Sequence, residues 1–197
     1  MYILNNLIEN IDYAIFSFVN QGLSNPIFDS LLPIIRNKWI WLPLYLFLIV
    51  FFIYKYQLKS IYVILGAIIT VALADFFSSG IIKPWVQRPR PCNTAIIQES
   101  MYLLIDCRNS FSFISSHACN HFSLAIFFSS MIKNRTNSKP LTSLFLFWAS
   151  AIGVSQIYVG AHFPIDILVG AIFGGFIGWI VVKLCRFILC ERMDHKI

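Results

Sequence analysis

The chain has 197 residues, of which 58% are apolar, 16% are aromatic and only 12% are charged. An ordinary soluble domain is about 45–50% apolar and about 25% charged, so this composition cannot cover a water-exposed surface. A chain this apolar is not intrinsically disordered either. The length suits one compact domain, and the composition predicts an integral membrane protein whose single domain covers residues 1–197.

The formal net charge of +6 raises the question of nucleic-acid binding. Nucleic-acid-binding proteins gather Lys and Arg on one solvated face, whereas the basic residues here lie between and beside apolar stretches. Membrane proteins distribute their basic residues in this way. We therefore expect no nucleic-acid partner.

The first 38 residues mix apolar and polar positions at helical spacing and are interrupted at Gly22 and Pro26. This pattern predicts one or two short helices that lie in the membrane interface. The segment lacks a basic region followed by a small-residue cleavage site, so we do not expect a cleaved signal peptide.

Five later stretches can cross a bilayer as helices, which takes about 20 mostly apolar residues. They cover residues 39–56, 60–82, 116–132, 141–158 and 165–189. The predicted fold is an all-α membrane bundle of about five transmembrane helices over residues 39–190.

Lys and Arg are divided unevenly between the two sides of such a bundle. One side carries Lys55, Lys59, Lys133, Arg135, Lys139, Lys183, Arg186, Arg192 and Lys196; the other carries Arg36, Lys38, Lys83, Arg88, Arg90 and Arg108. Because basic residues favour the cytoplasmic side, the loop at residues 83–115 should face away from the cytoplasm. This arrangement suits a bacterial inner membrane, with the loop on the periplasmic or outer side.

Two of the five cysteines, Cys92 and Cys107, lie in that outer loop with fourteen residues between them. An oxidising compartment would let them pair, which would stabilise the fold by about 3 kcal/mol; two free thiols are the alternative. Cys119, Cys185 and Cys190 lie in or beside apolar stretches and are interpreted as small apolar residues. The cysteines do not have the spacing of a metal site.

Polar and ionisable residues are costly inside a membrane, so their positions are informative. They gather in three places that the predicted topology brings to the same outer face. These clusters are Lys83, Arg88 and Arg90 after the second span; Ser112, Ser115, Ser116 and His117 at the start of the third; and Ser155, Gln156, His162 and Asp166 between the fourth and the fifth.

The first two clusters favour binding of an anion. Lys83 and Arg90 supply fixed positive charge, and the guanidinium fork of an Arg matches two phosphate oxygens at once. Ser115 and Ser116 precede a helix, and backbone N–H groups at a helix start are a ready anion site.

The histidines favour nucleophilic chemistry. Asp166 follows His162 by four residues, so its carboxylate can fix the imidazole tautomer and stabilise the charge that develops when the imidazole attacks. His117 can act as a general acid. Each cluster alone is explained by a membrane anchor, a helix cap or a structural His–Asp pair. Their coincidence at one face predicts a phosphoryl-transfer site that needs no metal or other cofactor.

These clusters resemble the type 2 phosphatidic acid phosphatase family, which shares its site with bacterial acid phosphatases and vanadium haloperoxidases. The family pattern is K-x6-RP, then PSGH, then SR-x5-H-x3-D. The corresponding residues here are Lys83, six residues and Arg90-Pro91; Ile114-Ser115-Ser116-His117; and Ser155-Gln156, five residues, His162, three residues and Asp166.

The resemblance implies a phosphohistidine mechanism. In this mechanism His162 is the nucleophile, Asp166 orients it, and His117 donates a proton to the leaving oxygen. The implied phosphate-binding residues are Lys83, Arg90, Ser115, Ser116 and Gln156.

The chain departs from the family pattern at three positions. Ile114 and Ser116 replace Pro and Gly but leave a helix start that can bind an anion. Gln156 replaces Arg and removes one positive charge, and losing such a donor can cost about 2.7–4 kcal/mol of transition-state stabilisation. Gln keeps two N–H donors, and Arg88, between Lys83 and Arg90, lies close enough in sequence to the first motif to compensate. We therefore expect an active but altered phosphatase.

Three further features each have two interpretations. Asp75, inside the second span, should have a partner or be protonated, either beside the site or in a helix–helix hydrogen bond. His117 and His121 have the spacing of a zinc pair but lack the Glu of that motif, so an interhelical bond is favoured for His121. Glycines at every fourth position of the fifth span allow close packing within the chain or in a dimer; they are Gly170, Gly174 and Gly178.

The predicted function is hydrolysis of a lipid phosphate or lipid pyrophosphate at the outer membrane face. Undecaprenyl pyrophosphate, the phosphate of lipid A, phosphatidylglycerol phosphate and phosphatidic acid all fit, because their tails stay in the bilayer. A degenerate relative that binds lipid phosphate without catalysis is the alternative, since Gln156 replaces the motif Arg. A transporter is disfavoured, because five spans show no internal repeat. The oligomeric state is open.

Overall fold

The structure, a computed structural model, describes residues 2–132 and 139–194, and the side chains within residues 7–132 and 139–189. All regular elements in these ranges are helical. The α-helices are α1 (Tyr2–Ser17), α2 (Pro26–Ile35), α3 (Leu42–Tyr56), α4 (Ser60–Asp75), α5 (Lys83–Val86), α6 (Ala95–Gln98), α7 (Ser116–Ile132), α8 (Lys139–Tyr158) and α9 (Pro164–Asp194). The predicted all-α class is confirmed.

Three helical stretches are long and apolar enough to cross a membrane: Lys38–Gln98, Lys139–Tyr158 and Pro164–Leu189. The first has 61 residues and turns back at Gln57, where φ is 53°, so it contains both α3 and α4. α4 continues through a π-helical segment, Phe76–Ile82, into α5. The five predicted spans correspond to α3, α4, α7, α8 and α9.

α7 is the central helix and packs against α4, α8 and α9. A Cβ atom added at Gly174 would lie 2.1 Å from the carbonyl oxygen of Cys119, and one added at Gly178 would lie 2.3 Å from that of Ser123. Only glycine lets the two backbones approach so closely. The contact moves from Cys119 to Ser123 on α7 as it moves from Gly174 to Gly178 on α9. The two helices therefore run parallel and begin side by side at the same end of the bundle. The glycine repeat therefore serves packing within the chain.

The N-terminal segment forms two helices, α1 and α2, joined by a π-helical turn at Phe18–Gly22. α1 exposes Leu7 and Ile11 but buries Asp12, and Asn20 in the following turn is also buried. An apolar outer face with polar residues inside suits a helix whose surroundings are lipid. The position of these helices in the membrane interface stays a prediction.

The loop at residues 83–115 contains a disulfide between Cys92 and Cys107, whose Cα atoms are 6.1 Å apart. Asn20 fastens this loop to the N-terminal segment, because its side chain both donates to the carbonyl of Tyr102 and accepts from the N–H of Tyr102, each at 2.8 Å. Cys119 and Cys185 are free thiols in the protein interior. Five residues used in the predictions lie outside the described residues or side chains: Lys133, Arg135, Cys190, Arg192 and Lys196.

Candidate active site

The ends of α5, α7 and α9 bring the three polar clusters of the sequence together. The Lys83 ammonium donates to the carbonyls of Phe111 and Ser112, both at 3.1 Å, in the segment that leads into α7. The Arg90 guanidinium donates to the carbonyl of Ser110 at 2.7 Å and to that of Ala161, next to His162, at 2.8 Å. Both cations are buried. Their hydrogen bonds to the backbone hold two positive charges close enough to His162 to lower the pKa of its imidazole.

The His162 imidazole is oriented through one of its two nitrogens. Nδ1 lies 3.3 Å from Ser112 Oγ and 3.6 Å from Asp166 Oδ2. Asp166 Oδ2 also accepts hydrogen bonds from Ser112 Oγ and, at 2.9 Å, from the N–H of Phe163. A carboxylate beside Nδ1 favours the tautomer with the proton on that nitrogen. Nε2 then carries the lone pair, as a nucleophile requires.

Burial lowers the pKa of His162 to about 4, from an ordinary value of 6.5. The neighbouring Asp166 opposes this lowering, and the positive charges of Lys83 and Arg90 contribute to it. A neutral imidazole is therefore the form present at neutral pH, and it is the neutral form that can attack phosphorus.

The start of α7 is tied to the start of α9. The N–H of Ser115 donates to the carbonyl of Asp166 at 3.0 Å, which differs from the expectation that this N–H faces an anion. The hydroxyl of Ser116 lies 2.8 Å from that of Ser79, which in turn donates to Asp75 at 3.3 Å. Asp75 is thus linked to the start of α7 through Ser79, in a helix–helix hydrogen-bond chain that ends one residue before His117.

His117 lies in the first turn of α7, and the ring of His121 stacks parallel to it with centroids 6.3 Å apart. His121 Nδ1 lies 2.7 Å from the carbonyl oxygen of His117 in the same helix, so the expected interhelical hydrogen bond is wrong. The ring of His121 contacts α8 by packing edge-on against Trp148. The contacts of His121 are those of a packed core residue. Within residues 2–132 and 139–194, no group of three or more His, Cys, Asp or Glu residues is placed to hold a metal ion.

Gln156, at the position of the motif Arg, is fully buried. Its backbone carbonyl accepts from the N–H groups of Ala161 and His162 at 3.0 and 3.3 Å, so Gln156 lies against the turn that carries His162. Neither amide atom of its side chain has a hydrogen-bond partner among the residues that the structure describes. Burying such a group unpaired costs about 1–3 kcal/mol, which favours an interaction with bound phosphate.

The expectation that Arg88 compensates for Gln156 is wrong. Arg88 Nη1 donates to Asp166 Oδ1 at 2.7 Å, and Nη2 donates to Asp12 Oδ2 at 2.5 Å. Its guanidinium also lies over the Phe163 ring, 4.3 Å from the centroid. Two carboxylates neutralise this cation, so its charge is not available to replace the missing Arg.

Two participants in this network received no role from the sequence. Ser112 lies between His162 and Asp166, and Asp12 reaches the site from α1. The available signal for Asp12 was a carboxylate among the apolar residues of α1, which needs a partner when it is buried. Its partner is distant in sequence and could not be identified from the pattern.

An apolar groove of about 950 Å³ extends away from the site between α3, α4 and α7. Its polar end carries Lys38, Asp75, Asn120 and His121, and its apolar part is lined by residues such as Leu48, Phe52, Val63, Val71, Leu124 and Phe128. His121 is one helical turn from His117. The groove therefore runs along the membrane-spanning helices and comes within one turn of His117 on α7, although none of the motif residues lines it.

Comparisons with known proteins agree with this arrangement. A family model described as the PAP2 superfamily matches residues 59–188. A lipid A 4'-phosphatase of Bacteroides thetaiotaomicron is 30% identical over 176 residues, which cover 88% of this chain and 76% of that protein.

Two solved structures are similar to the chain. The crystal structure of Aquifex aeolicus LpxE has a TM-score of 0.58 and 25% identity, and the match covers 88% of this chain and 95% of that one. The crystal structure of a PAP2-type phosphatidylglycerolphosphate phosphatase from Bacillus subtilis has a TM-score of 0.72 at 20% identity, over 93% of this chain and 88% of that one. The second likeness concerns the fold alone.

The matched segment contains all three motifs and covers more than half of the chain. The family expected from the motifs is therefore confirmed, together with the membrane-embedded helical fold. The chain belongs to the PAP2 superfamily of phosphohydrolases.

Proposed function

We propose that the protein removes phosphate from a membrane lipid through a phosphohistidine intermediate on His162. The observation that carries this proposal is the orientation of the His162 ring. Its Nδ1 faces Asp166 and Ser112 while Lys83 and Arg90 hold positive charge beside it. This leaves Nε2 as the nucleophile next to a site for an anion.

In the first step, His162 Nε2 attacks phosphorus and the bond from phosphorus to the lipid oxygen breaks. His117 donates the proton that the leaving oxygen requires. In the second step, water attacks the phosphohistidine, the N–P bond breaks, and His117 accepts the proton from that water. Inorganic phosphate and the dephosphorylated lipid are released, and both histidines return to their initial state.

Lys83 and Arg90 stabilise the charge that develops on the phosphoryl oxygens. An ammonium has three N–H donors and a guanidinium has five, while Lys83 donates two hydrogen bonds to carbonyls and Arg90 donates three to Ser110 and Ala161. Each cation therefore keeps donors for phosphate. The Gln156 amide supplies a further N–H donor, and Ser116 supplies a backbone N–H group at the start of α7.

The groove between α3, α4 and α7 supports a lipid substrate. Its apolar lining and its polar end, which carries His121 one helical turn from His117, fit an acyl chain that stays at membrane depth while the phosphate reaches His162. Lipid A phosphate is the first substrate to test, since a relative of 30% identity is a lipid A 4'-phosphatase. We place the site on the periplasmic or outer side of a bacterial inner membrane.

The test is phosphate release by the purified protein from a panel of lipids: lipid A, phosphatidylglycerol phosphate, phosphatidic acid and undecaprenyl pyrophosphate. Release should fall by a factor of about 10³ or more in His162→Ala and should be insensitive to a chelator. Lys83→Ala should also be strongly impaired, whereas Lys139→Ala, at an exposed lysine far along the chain, serves as its matched control.

The covalent intermediate has its own measurement. A lipid labelled on its phosphate should leave an acid-labile, base-stable label on the wild-type protein and none on His162→Ala. If His162→Ala releases phosphate from every lipid as fast as the wild type, the proposal fails. If the wild type binds lipid phosphate without releasing phosphate, the protein is the non-catalytic relative instead.

A further inference from the structure

We propose that Asp12 and Arg88 form a positioning pair that holds the Asp166 carboxylate against His162, so that α1 takes part in catalysis. This inference rests on the proposed function, in which Asp166 orients the nucleophile. Asp12 lies outside the three motifs, and Arg88 is one of the six residues between Lys83 and Arg90. The assignment therefore depends on contacts alone.

Asp12 joins α1 to the start of α9 through both of its carboxylate oxygens. Oδ1 accepts from the N–H of Ile165 at 2.8 Å, and Oδ2 accepts from Arg88. Ile165 is in the first turn of α9, where N–H groups have no partner within the helix. Asp12 thus caps α9 from another helix, and its side chain is only 3% exposed.

Arg88 carries the constraint from Asp12 to Asp166. The two terminal nitrogens of its planar fork bind one carboxylate each, and its flat face lies on the Phe163 ring. Contacts on three sides restrict the guanidinium to one orientation. A Lys at this position keeps the charge but cannot bind two carboxylates with this geometry.

The result is a fixed orientation of the Asp166 carboxylate. Oδ1 is bound by Arg88, and Oδ2 is bound by Ser112 and the N–H of Phe163. These three hydrogen bonds hold both oxygens of the carboxylate, with Oδ2 3.6 Å from His162 Nδ1. Rotation of the carboxylate would break several hydrogen bonds at once.

Asp12 also adjusts the charge that His162 experiences. With both carboxylates ionised, Asp12 offsets the charge of Arg88 and leaves the charge of Asp166 to support the imidazole. Without the Asp12 charge, Arg88 would act on Asp166 alone and weaken that support. The charge that develops on the ring during attack would then be less well stabilised.

Packing of α1 reinforces the pair. The rings of Tyr13 and Phe16 lie 5.2 and 5.4 Å from the Phe163 ring, centroid to centroid. Phe163 follows the nucleophile directly and is fully buried. One face of α1 therefore contacts the turn from His162 to Ile165 through both its polar and its aromatic side chains.

The test compares Asp12→Asn, Arg88→Lys and Asp29→Asn. Asp12→Asn keeps the oxygen that accepts from Ile165, while it removes the charge and replaces the oxygen that accepts from Arg88 by an NH2 group that cannot accept. Asp29 is the matched control, because it also ties an N-terminal helix to the bundle, accepting from the hydroxyl of Tyr158 at 2.6 Å, but has no contact with the site. We expect kcat to fall about 10- to 100-fold in Asp12→Asn and Arg88→Lys, with KM changed less than about threefold, and kcat to be unchanged in Asp29→Asn.

Binding of orthovanadate, a mimic of the phosphoryl group in transfer, gives a readout that does not need turnover. Its affinity should fall about tenfold or more in Asp12→Asn and should not change in Asp29→Asn. Equal kcat and equal vanadate affinity in Asp12→Asn and wild type would overturn the inference while leaving the proposed function intact. If the wild type releases no phosphate, the proposed function fails, and the vanadate comparison still decides whether Asp12 positions the site.

Discussion

Two polar groups lie against the turn that carries His162, and they differ in how fully they are satisfied. Asp166 has hydrogen bonds from Arg88, Ser112 and a backbone N–H. Gln156, equally buried, has no side-chain partner among the described residues. The His162 side of the site is therefore organised without substrate, whereas the proposed function has bound phosphate complete the Gln156 side. Preorganised groups mainly stabilise the transition state and so affect kcat. Groups that gain a partner only when substrate binds also stabilise the bound substrate and so affect KM.

Asp166→Asn tests the organised side and should have the largest effect. The substitution removes the charge that stabilises the attacking ring and allows the wrong imidazole tautomer, for which a decrease in kcat of about 10³- to 10⁴-fold is expected by analogy with Ser-His-Asp enzymes. Steady-state phosphate release measures it. Asp106→Asn, in the outer loop, is a control expected to match the wild type.

Substitutions at Gln156 test the incomplete side and should have smaller effects. Gln156→Ala removes the unpartnered amide and should lower kcat/KM about 10-fold, while Gln156→Arg restores a positive charge and should raise kcat/KM by a similar factor. Initial rates at low lipid concentration measure both. Gln98→Ala, at an exposed glutamine, is the matched control. Unchanged rates in Gln156→Ala would mean that this amide does not contact phosphate.

The pH dependence of catalysis should show the smallest effect. Because the pKa of His162 is lowered to about 4, the nucleophile is neutral above that pH, and kcat/KM should decrease only as the pH falls through about 4. Asp166→Asn removes the group that raises this pKa, so its acid limb should move to still lower pH. Because both proteins act on the same lipid, ionisation of the substrate affects both pH profiles equally and does not contribute to the difference between them.

The lowered pKa of His162 also makes the stability of the fold depend on pH. The folded protein binds the His162 proton less readily than the unfolded chain, so this group stabilises the fold above pH 6.5 and that contribution is lost as the pH falls from about 6.5 to about 4. Thermal unfolding in detergent at several pH values measures the slope. His162→Asn should flatten it; an equal slope in both proteins would contradict the assignment.

Features that depend on local sequence could be predicted well. Hydropathy is a property of a continuous stretch, so the spans could be located without knowledge of the tertiary structure. The five predicted spans correspond to α3, α4, α7, α8 and α9. Motif spacing was sufficient for the family, because the residues in each motif lie on one turn or one helix end. The glycine repeat of α9 predicted close packing, but the sequence left open whether its partner was α7 or a second chain.

The role of Arg88 could not be predicted in the same way. Its position between Lys83 and Arg90 in the first motif suggested that it could compensate for Gln156, yet one of its two partners is Asp12, 76 residues earlier in the chain. Which carboxylate reaches a guanidinium depends on how α1 packs against α9. Sequence spacing contains no information about that contact.

The amino-acid sequence by itself determined the membrane-embedded helical fold, the family and the residues with the chemistry for phosphoryl transfer, because each of these follows from local pattern. Only the tertiary structure decided which side chain is paired with which: Arg88 with two carboxylates, Ser115 with the backbone of α9, and Gln156 with none of the described residues. The reason is that ion pairs and buried hydrogen bonds are made between elements remote in sequence, and their partners are selected by packing.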